Sequence, residues 1–139
     1  MRIRLAQYLA EAGQPAKAIA LLEKDSADPD ALLGLGNAYT IAGRHAEAIR
    51  TYAKLLLISP ANASAYENMG VAQLQARDLR AAETSLRRAL ALDPTLPAAH
   101  TALGVLLMQT GRRAEAVESW QRAAALGDPN AADNLKAIR

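Results

Sequence analysis

The chain has 139 residues, with 16 basic and 14 acidic side chains, no cysteine and only 4% aromatic residues. Its charges are scattered rather than clustered, which argues against a nucleic-acid partner, and the absence of cysteine excludes disulfides and thiolate metal sites. The length suits one domain, and a composition dominated by alanine and leucine favours helices over strands. No run reaches the roughly 18 apolar residues of a membrane span, so membrane insertion is not expected.

The first predicted element is a shortened helical hairpin over residues 1–28. Leu5 and Leu9 match the apolar pattern of the later segments when Gly13 is aligned with the next turn glycine, but the second helix and linker are then about one turn short. Met1 enters the first helix near its third position, with no cap and no preceding polar helix. We therefore expect a fragment of a longer polypeptide, and its uncapped first hairpin is a possible site of self-association.

Three full helical hairpins are predicted next. They span residues 29–62, 63–96 and 97–128. The residues that recur about every 34 positions are Gly36, Gly70 and Gly104 in the first helices, Ala48, Ala82 and Ala116 in the second helices, and the larger Tyr52, Leu86 and Trp120. Such a period indicates stacked supersecondary units. Glycine and alanine let two helices cross closely, and we expect the larger residues to fill the space between hairpins.

The predicted turns differ along the chain. Gly43 and Gly111 suit the left-handed conformation that ends a helix, whereas Arg77 replaces this glycine in the third hairpin, so we expect a different turn there. Pro129 comes one residue later than the period requires, which suggests a slightly longer turn. Residues 129–139 then form a short helix with one apolar and one polar face, which is typical of a cap that ends a repeat array.

The offsets of these residues resemble the signature of the tetratricopeptide repeat (TPR) family. The second hairpin carries nearly all of it, in Leu32, Leu35, Gly36, Tyr39, Ala48, Tyr52, Leu55 and Pro60. The resemblance covers essentially the whole chain as a single domain. It implies an all-α fold, a right-handed superhelical stack of antiparallel helix hairpins (an α-solenoid) with the first helices on the inside of the curve.

Catalytic or metal-binding constellations are not recognisable in the sequence. We expect His45 on a solvated helix surface, and His100 occupies the packing offset that Leu32 and Tyr66 hold in other hairpins. No two-histidine metal spacing, phosphate-binding glycine loop or nucleophile elbow occurs. The sequence therefore predicts that the chain is not an enzyme and uses no cofactor or metal.

The inner surface that the resemblance implies mixes aliphatic side chains with amides, which would suit a peptide ligand. The predicted binding residues are Leu33, Asn37, Thr40 and Ile41 in the second hairpin, Ser64, Glu67, Asn68, Val71, Leu74 and Gln75 in the third, and Thr101, Val105, Met108 and Gln109 in the fourth. The alternative is that the aliphatic members of this set contact neighbouring helices or another part of the parent protein.

One TPR ligand class is not expected. Asn37 and Asn68 match the asparagine offsets of the clamp by which some family members hold the acidic C-terminus of heat-shock chaperones. Leu33, Ala98 and Ala102 stand where that clamp has basic residues, so its charge-assisted contacts are missing.

The predicted function is a scaffold that binds a peptide or protein segment in the concave groove, as part of a larger polypeptide or assembly. The alternative is a structural or self-association module that packs against its parent protein or another copy. The partner and the pathway are left open by the sequence. We expect a soluble chain, with the cytoplasm only slightly favoured among compartments.

Overall fold

The computed structural model describes residues 2–24 and 27–138, and this part of the chain contains nine α-helices and no strand. The helices are α1 (Arg2–Glu11), α2 (Pro15–Leu22), α3 (Pro29–Ile41), α4 (His45–Ile58), α5 (Ala63–Gln75), α6 (Leu79–Leu92), α7 (Pro97–Gln109), α8 (Arg113–Ala125) and α9 (Pro129–Ala137). Met1 and Arg139, predicted in the first and last helices, lie outside the described residues. The predicted all-α helical-repeat solenoid is confirmed.

The helices pair in sequence order as hairpins, α1 with α2 through α7 with α8, and α9 packs on α8. The first helices of successive hairpins also touch one another, α1 with α3, α3 with α5 and α5 with α7. Successive second helices make no comparable contact in the described residues. The first helices therefore line the inside of the stack. Among these helices, none is long and apolar enough to cross a lipid bilayer.

In each full hairpin the repeated glycine of the first helix lies directly against the large residue of the second helix. A Cβ added at Gly70 would stand 2.8 Å from Cγ of Leu86, and one at Gly36 would overlap the ring of Tyr52. Leu86 and Tyr52 are themselves almost fully buried. The glycines are therefore needed because the large residue of the partner helix occupies the space that any side chain would fill.

The turn between the two helices of the third hairpin has the same backbone conformation as the matching turns of the second and fourth hairpins, so the prediction of a different turn was wrong. Arg77 takes the left-handed conformation with φ of 68°, close to the 77° of Gly43 and the 79° of Gly111. Its N–H donates to the carbonyl of Leu74 at 3.1 Å, as the turn glycines do to the matching carbonyls. Asp78 follows and caps α6 with its side chain. The packing of the hairpin thus imposes a left-handed conformation on Arg77, although a residue with a Cβ disfavours it.

The connection before the last helix is shorter than expected, not longer. Only residues 126–128 separate α8 from α9, whereas four residues, 59–62 and 93–96, join the earlier hairpins. Pro129 is the first residue of α9 and so corresponds to the helix-starting Pro97 rather than to a loop proline. Gly127, with φ of 96°, ends α8 and allows this tight connection.

The last helix covers the end of the fourth hairpin with its apolar face. Ala131 is fully buried beside Trp120, and Leu135 and Ile138 pack against the same cluster. Lys136 is exposed on the opposite face. At the other end of the stack, the predicted shortening lies in α2, which has 8 residues where α4 and α6 have 14.

Candidate functional site

A groove of about 710 Å³ lies on the inside of the stack, and we call it the inner groove. It is formed by α1, α3 and α5, with Tyr52 reaching it from α4. Six of the predicted binding residues line it, namely Leu33, Asn37, Thr40, Ile41, Asn68 and Val71. The structure thus brings these six residues together on one continuous surface.

The first helix contributes one whole wall of the inner groove, which the sequence-based selection missed. Ile3, Arg4, Gln7 and Glu11 all line it from α1. Ile3 and Gln7 precede Leu33 and Asn37 by 30 residues, the same interval that separates the two turn glycines, Gly13 and Gly43. The inner-face offsets applied at this interval would therefore have identified them.

The floor of the inner groove is a hydrogen-bonded set of polar side chains. Oδ1 of Asn37 accepts from the hydroxyl of Tyr52 at 2.6 Å and from Nδ2 of Asn68 at 2.9 Å. Oγ1 of Thr40 donates to the carbonyl of Gly36 at 3.0 Å and lies 3.4 Å from the Tyr52 hydroxyl. This set connects α3, α4 and α5.

The Tyr52 hydroxyl is neutral at any ordinary pH. Its burial raises the pKa to about 12, although the hydrogen bond with Thr40 acts in the opposite direction. A neutral phenol keeps its proton and can act as a hydrogen-bond donor. Tyr52 therefore serves the groove floor as a donor.

The charged residues of the inner groove are few and of mixed sign. Arg4 and Glu11 come from α1, and Asp30 lies in the first turn of α3. Gln7 donates to Glu11 at 3.2 Å on the same wall. Two carboxylates against one guanidinium make this surface a poor site for an acidic ligand and a better one for a neutral or basic ligand.

The predicted aliphatic residues of the third and fourth hairpins mostly contact neighbouring helices. Leu74 and Met108 pack against the apolar cluster that includes Leu103, and Val105 packs against the Trp120 cluster with Met108. They are half-buried in these junctions. Part of the surface of these three side chains is therefore taken up by contacts within the protein.

Two predicted polar residues also lie at hairpin junctions. Thr101 donates from Oγ1 to the carboxylate of Asp128, the residue that caps α9. Glu67 is half-buried beside α7, and its burial raises the pKa of its carboxyl group. The negative charge of Asp93 raises this pKa further, whereas the hydrogen bond from the backbone N–H of Ala99 lowers it. Both side chains thus contact the start of the next first helix instead of lining the inner groove.

Three further predicted residues, Ser64, Gln75 and Gln109, do not line the inner groove. All three are exposed: Ser64 lies near the start of α5, and Gln75 and Gln109 are the last residues of α5 and α7. The two glutamines are accessible to a ligand that extends beyond the groove. Whether any of the predicted set binds a ligand remains a prediction.

The histidines do not form a catalytic pair. His100 is buried, and its Nε2 lies 2.8 Å from the carbonyl oxygen of Pro94, which fits the predicted packing role. His45 begins α4 and is half-buried, and its buried Nδ1 has no hydrogen-bond partner among the described residues, so it is less solvated than expected. Within residues 2–24 and 27–138, no group of three or more His, Asp or Glu side chains could hold a metal ion.

Similar folds occur in several solved structures. The thermophilic TPR protein TTC0263 of Thermus thermophilus is 24% identical, with a TM-score of 0.85 over 96% of this chain and 77% of its own. MamA is 25% identical, with a TM-score of 0.78 over 88% of this chain and 74% of its own. The first TPR of Spaghetti (RPAP3), bound to the HSP90 peptide SRMEEVD, is also 25% identical, with a TM-score of 0.76 over 81% of this chain and 91% of its own.

Family models match along most of the sequence. A TPR repeat model matches residues 36–76, and two tetratricopeptide repeat models match residues 67–134 and 2–24. Comparison with curated proteins returned no significant match. Because the repeated glycines, the helical hairpins and the matched models agree, the chain belongs to the tetratricopeptide repeat family.

Proposed function

We propose that the chain is a protein-interaction scaffold that holds an extended peptide or protein segment in the inner groove. The observation that carries this proposal is the floor of the groove. Asn37 Nδ2 and Asn68 Oδ1 have no hydrogen-bond partner among the described residues. One amide donor and one amide acceptor side by side match the N–H and C=O groups of a peptide backbone.

The walls of the inner groove supply contacts for ligand side chains. Ile3, Leu33, Ile41 and Val71 present aliphatic groups on both sides of the polar floor. Ile41 is exposed, whereas the other three are half-buried. A groove that combines aliphatic walls with a few convergent polar groups has the composition of a binding site.

The Spaghetti domain shows that a fold of this kind can hold a peptide, but the ligand here is expected to differ. Its bound peptide, SRMEEVD, is acidic. In this chain Leu33 packs at the start of α5, Ala102 packs against an apolar cluster, and Ala98 is exposed. None of the three can supply the basic contacts of a chaperone clamp, and Glu11 and Asp30 would repel an acidic ligand. We therefore propose a neutral or basic segment as the partner.

The proposal can be tested with peptides selected from a random phage-displayed library on the wild-type protein. We expect Asn68→Ala to weaken the selected peptides about fivefold to tenfold, the value of one or two hydrogen bonds. Gln121→Ala is a matched control, because Gln121 is an exposed amide on the outer helix α8 and does not line the inner groove. Fluorescence polarisation would measure both affinities. Equal affinities for Asn68→Ala and wild type, or a library without binders, would contradict groove binding.

We also propose that the chain has no catalytic activity of its own and needs no cofactor. This rests on the histidines, since His100 bonds to a backbone carbonyl and the Nδ1 of His45 has no hydrogen-bond partner. A general base needs both an orienting partner and access to a substrate, whereas His45 lacks the first among the described residues and the buried His100 lacks the second. Any activity found in a complex should then survive the double substitution of both histidines by glutamine, and its loss would contradict this part of the proposal.

A second candidate function is self-association or packing through the first hairpin. Leu5 and Tyr8 on α1 are 48% and 66% exposed, which favours a contact with another copy or with the parent protein. Light scattering at increasing protein concentration would detect it. We expect any dimer to disappear in the Leu5→Ser and Tyr8→Ser double variant. A wild-type protein that stays monomeric at high concentration would contradict self-association and favour the scaffold function.

We further propose that residues 1–139 fold as one domain, because contacts between neighbouring hairpins continue along the whole stack. Trp120 is the single tryptophan and lies in the fourth hairpin, so its fluorescence reports one end while far-ultraviolet circular dichroism reports all helices. Coincident unfolding transitions are expected. Separate transitions would divide the chain into independent units.

A further inference from the structure

Tyr52 reaches the inner groove from the opposite helix of its own hairpin. Its ring passes Gly36, where a Cβ would overlap it, and brings the hydroxyl to 2.6 Å from Oδ1 of Asn37. The residue is 1% exposed, so its position is fixed by packing. Tyr52 thus reaches the groove floor with its hydroxyl group.

The direction of each hydrogen bond on the floor can be assigned from the available protons. The Thr40 hydroxyl lies 3.0 Å from the carbonyl of Gly36 and 3.4 Å from the Tyr52 hydroxyl, so its single proton favours the shorter contact. Tyr52 has one proton, and the 2.6 Å contact directs it to Asn37 Oδ1. Asn68 Nδ2 donates to the same oxygen. Both lone pairs of that oxygen are therefore used, whereas the Asn37 amide nitrogen has no hydrogen-bond partner among the described residues.

We infer that Tyr52 is a positioning residue that sets the hydrogen-bonding polarity of the inner groove. By holding the oxygen of Asn37, it fixes a donor at Asn37 and leaves an acceptor at Asn68. A ligand then has to offer a carbonyl to Asn37 and an N–H to Asn68, as a peptide backbone does. This inference rests on the proposed groove function and adds the residue that decides which ligand groups can bind.

The other full hairpins lack this arrangement. Leu86 stands at the position of Tyr52 in the third hairpin and has no polar group. Trp120 stands there in the fourth and donates from Nε1 to the backbone carbonyl of Thr101 at 3.1 Å, not to a side chain. In the part of the chain that the structure describes, the polar floor therefore occurs where the second hairpin has a tyrosine, and this is also where the groove is open.

The first test needs no ligand. Side-chain amide relaxation by nuclear magnetic resonance should report an ordered Asn37 amide in the wild type and a mobile one in Tyr52→Phe. Tyr39→Phe is the matched control, because Tyr39 is also buried on this hairpin but donates to Glu23 at 3.2 Å, away from the groove. An Asn37 amide that stays equally ordered in Tyr52→Phe would overturn the inference, even if no groove ligand exists.

The second test uses a peptide selected on the wild-type protein as described above. Tyr52→Phe should weaken it about threefold to tenfold, and Asn37→Ala by a similar factor. If Tyr52 acts through Asn37, adding Tyr52→Phe to Asn37→Ala should change the affinity by less than about twofold, since coupled residues are not additive. Tyr39→Phe should leave it unchanged. A purely structural role for Tyr52 would instead give losses that multiply, and this would overturn the inference.

The two proposals fail in different ways. If Asn68→Ala and Tyr52→Phe both leave the peptide affinity unchanged, the groove is not the binding site and the proposed function fails, while the amide relaxation still decides the role of Tyr52. If Asn68→Ala weakens binding but Tyr52→Phe does not, the groove binds the peptide and the role of Tyr52 is refuted.

Discussion

Arg77→Gly is expected to stabilise the protein, because Arg77 has a Cβ and adopts the left-handed backbone conformation, which glycine adopts without strain. Its φ of 68° costs a residue with a Cβ about 1–2 kcal/mol. Glycine removes this cost but adds about 0.4–1 kcal/mol through the greater freedom of the unfolded chain. Arg77 is exposed and makes no side-chain hydrogen bond or ion pair in the described residues. The expected gain is therefore about 0.5–1 kcal/mol, close to 2–4 °C in Tm for a chain of this size.

Urea and thermal unfolding, followed by circular dichroism, would measure this gain. Gly43→Ala and Gly111→Ala are matched controls at the same turn position of the neighbouring hairpins. A Cβ at either glycine would have no atom within 4 Å, so only backbone strain is added. Both variants should lose about 0.5–1 kcal/mol, which is the strain less the reduced freedom of the unfolded chain, with an unchanged urea m-value.

The refuting result is a specific combination. If Gly43→Ala loses stability as expected while Arg77→Gly is neutral or less stable than wild type, the left-handed conformation in the third hairpin is not a source of strain. A neutral result for all three variants would instead show that these turns tolerate a Cβ without cost.

Close packing and titration give three more expected outcomes. Gly70→Ala should lose about 1–3 kcal/mol in urea unfolding, because its Cβ would stand 2.8 Å from Leu86 Cγ. Gly34→Ala should lose less, because its Cβ would meet only the tip of one leucine. Equal losses in the two variants would contradict this packing. Burial raises the pKa of Tyr52 to about 12, so the neutral phenol makes a contribution to the free energy of unfolding that is fully present below about pH 10. This contribution is lost at higher pH, by about 1.4 kcal/mol per pH unit up to pH 12. Tyr52→Phe should lack this alkaline loss in urea titrations, and an identical loss in both proteins would refute it. Burial also raises the pKa of Glu67, so the folded protein favours the neutral carboxyl group. The stability that this neutral form contributes below about pH 4 is lost as the pH rises through the raised pKa. Glu67→Gln should therefore have the higher Tm at pH 7 and the same Tm below about pH 4, whereas a lower Tm at pH 7 would show that the carboxylate stabilises the fold.

The fold and the packing of each hairpin were predictable from residue spacing. The 34-residue interval between Gly36, Gly70 and Gly104 predicts repeated helix crossings, and the structure has them. Side chains that pack within one hairpin depend on residues close in sequence, so a repeat pattern encodes them directly. The turn at Arg77 was predicted wrongly, because the packing of α5 on α6 overrides the local preference of one residue.

The site was predictable only in part. Asn37 and Val71 could be assigned to the inner face from their offsets, but the same offsets also selected Leu74 and Met108, which pack between helices. Repeat position determines which side of a helix a residue occupies. Whether that side is open depends on the size of side chains from other hairpins.

By itself, then, the sequence determined the all-α repeat stack, the close crossings at glycine and the apolar face of the last helix. Tertiary structure alone decided that a groove lies open between α1 and α5, and that Leu74, Val105 and Met108 pack against neighbouring helices. It also decided that Tyr52 holds the Asn37 amide, a contact between residues of different helices. The physical reason is that periodicity records local helix geometry, whereas an open groove depends on how side chains from several hairpins share one space, and a directed hydrogen bond depends on where two particular polar atoms are placed.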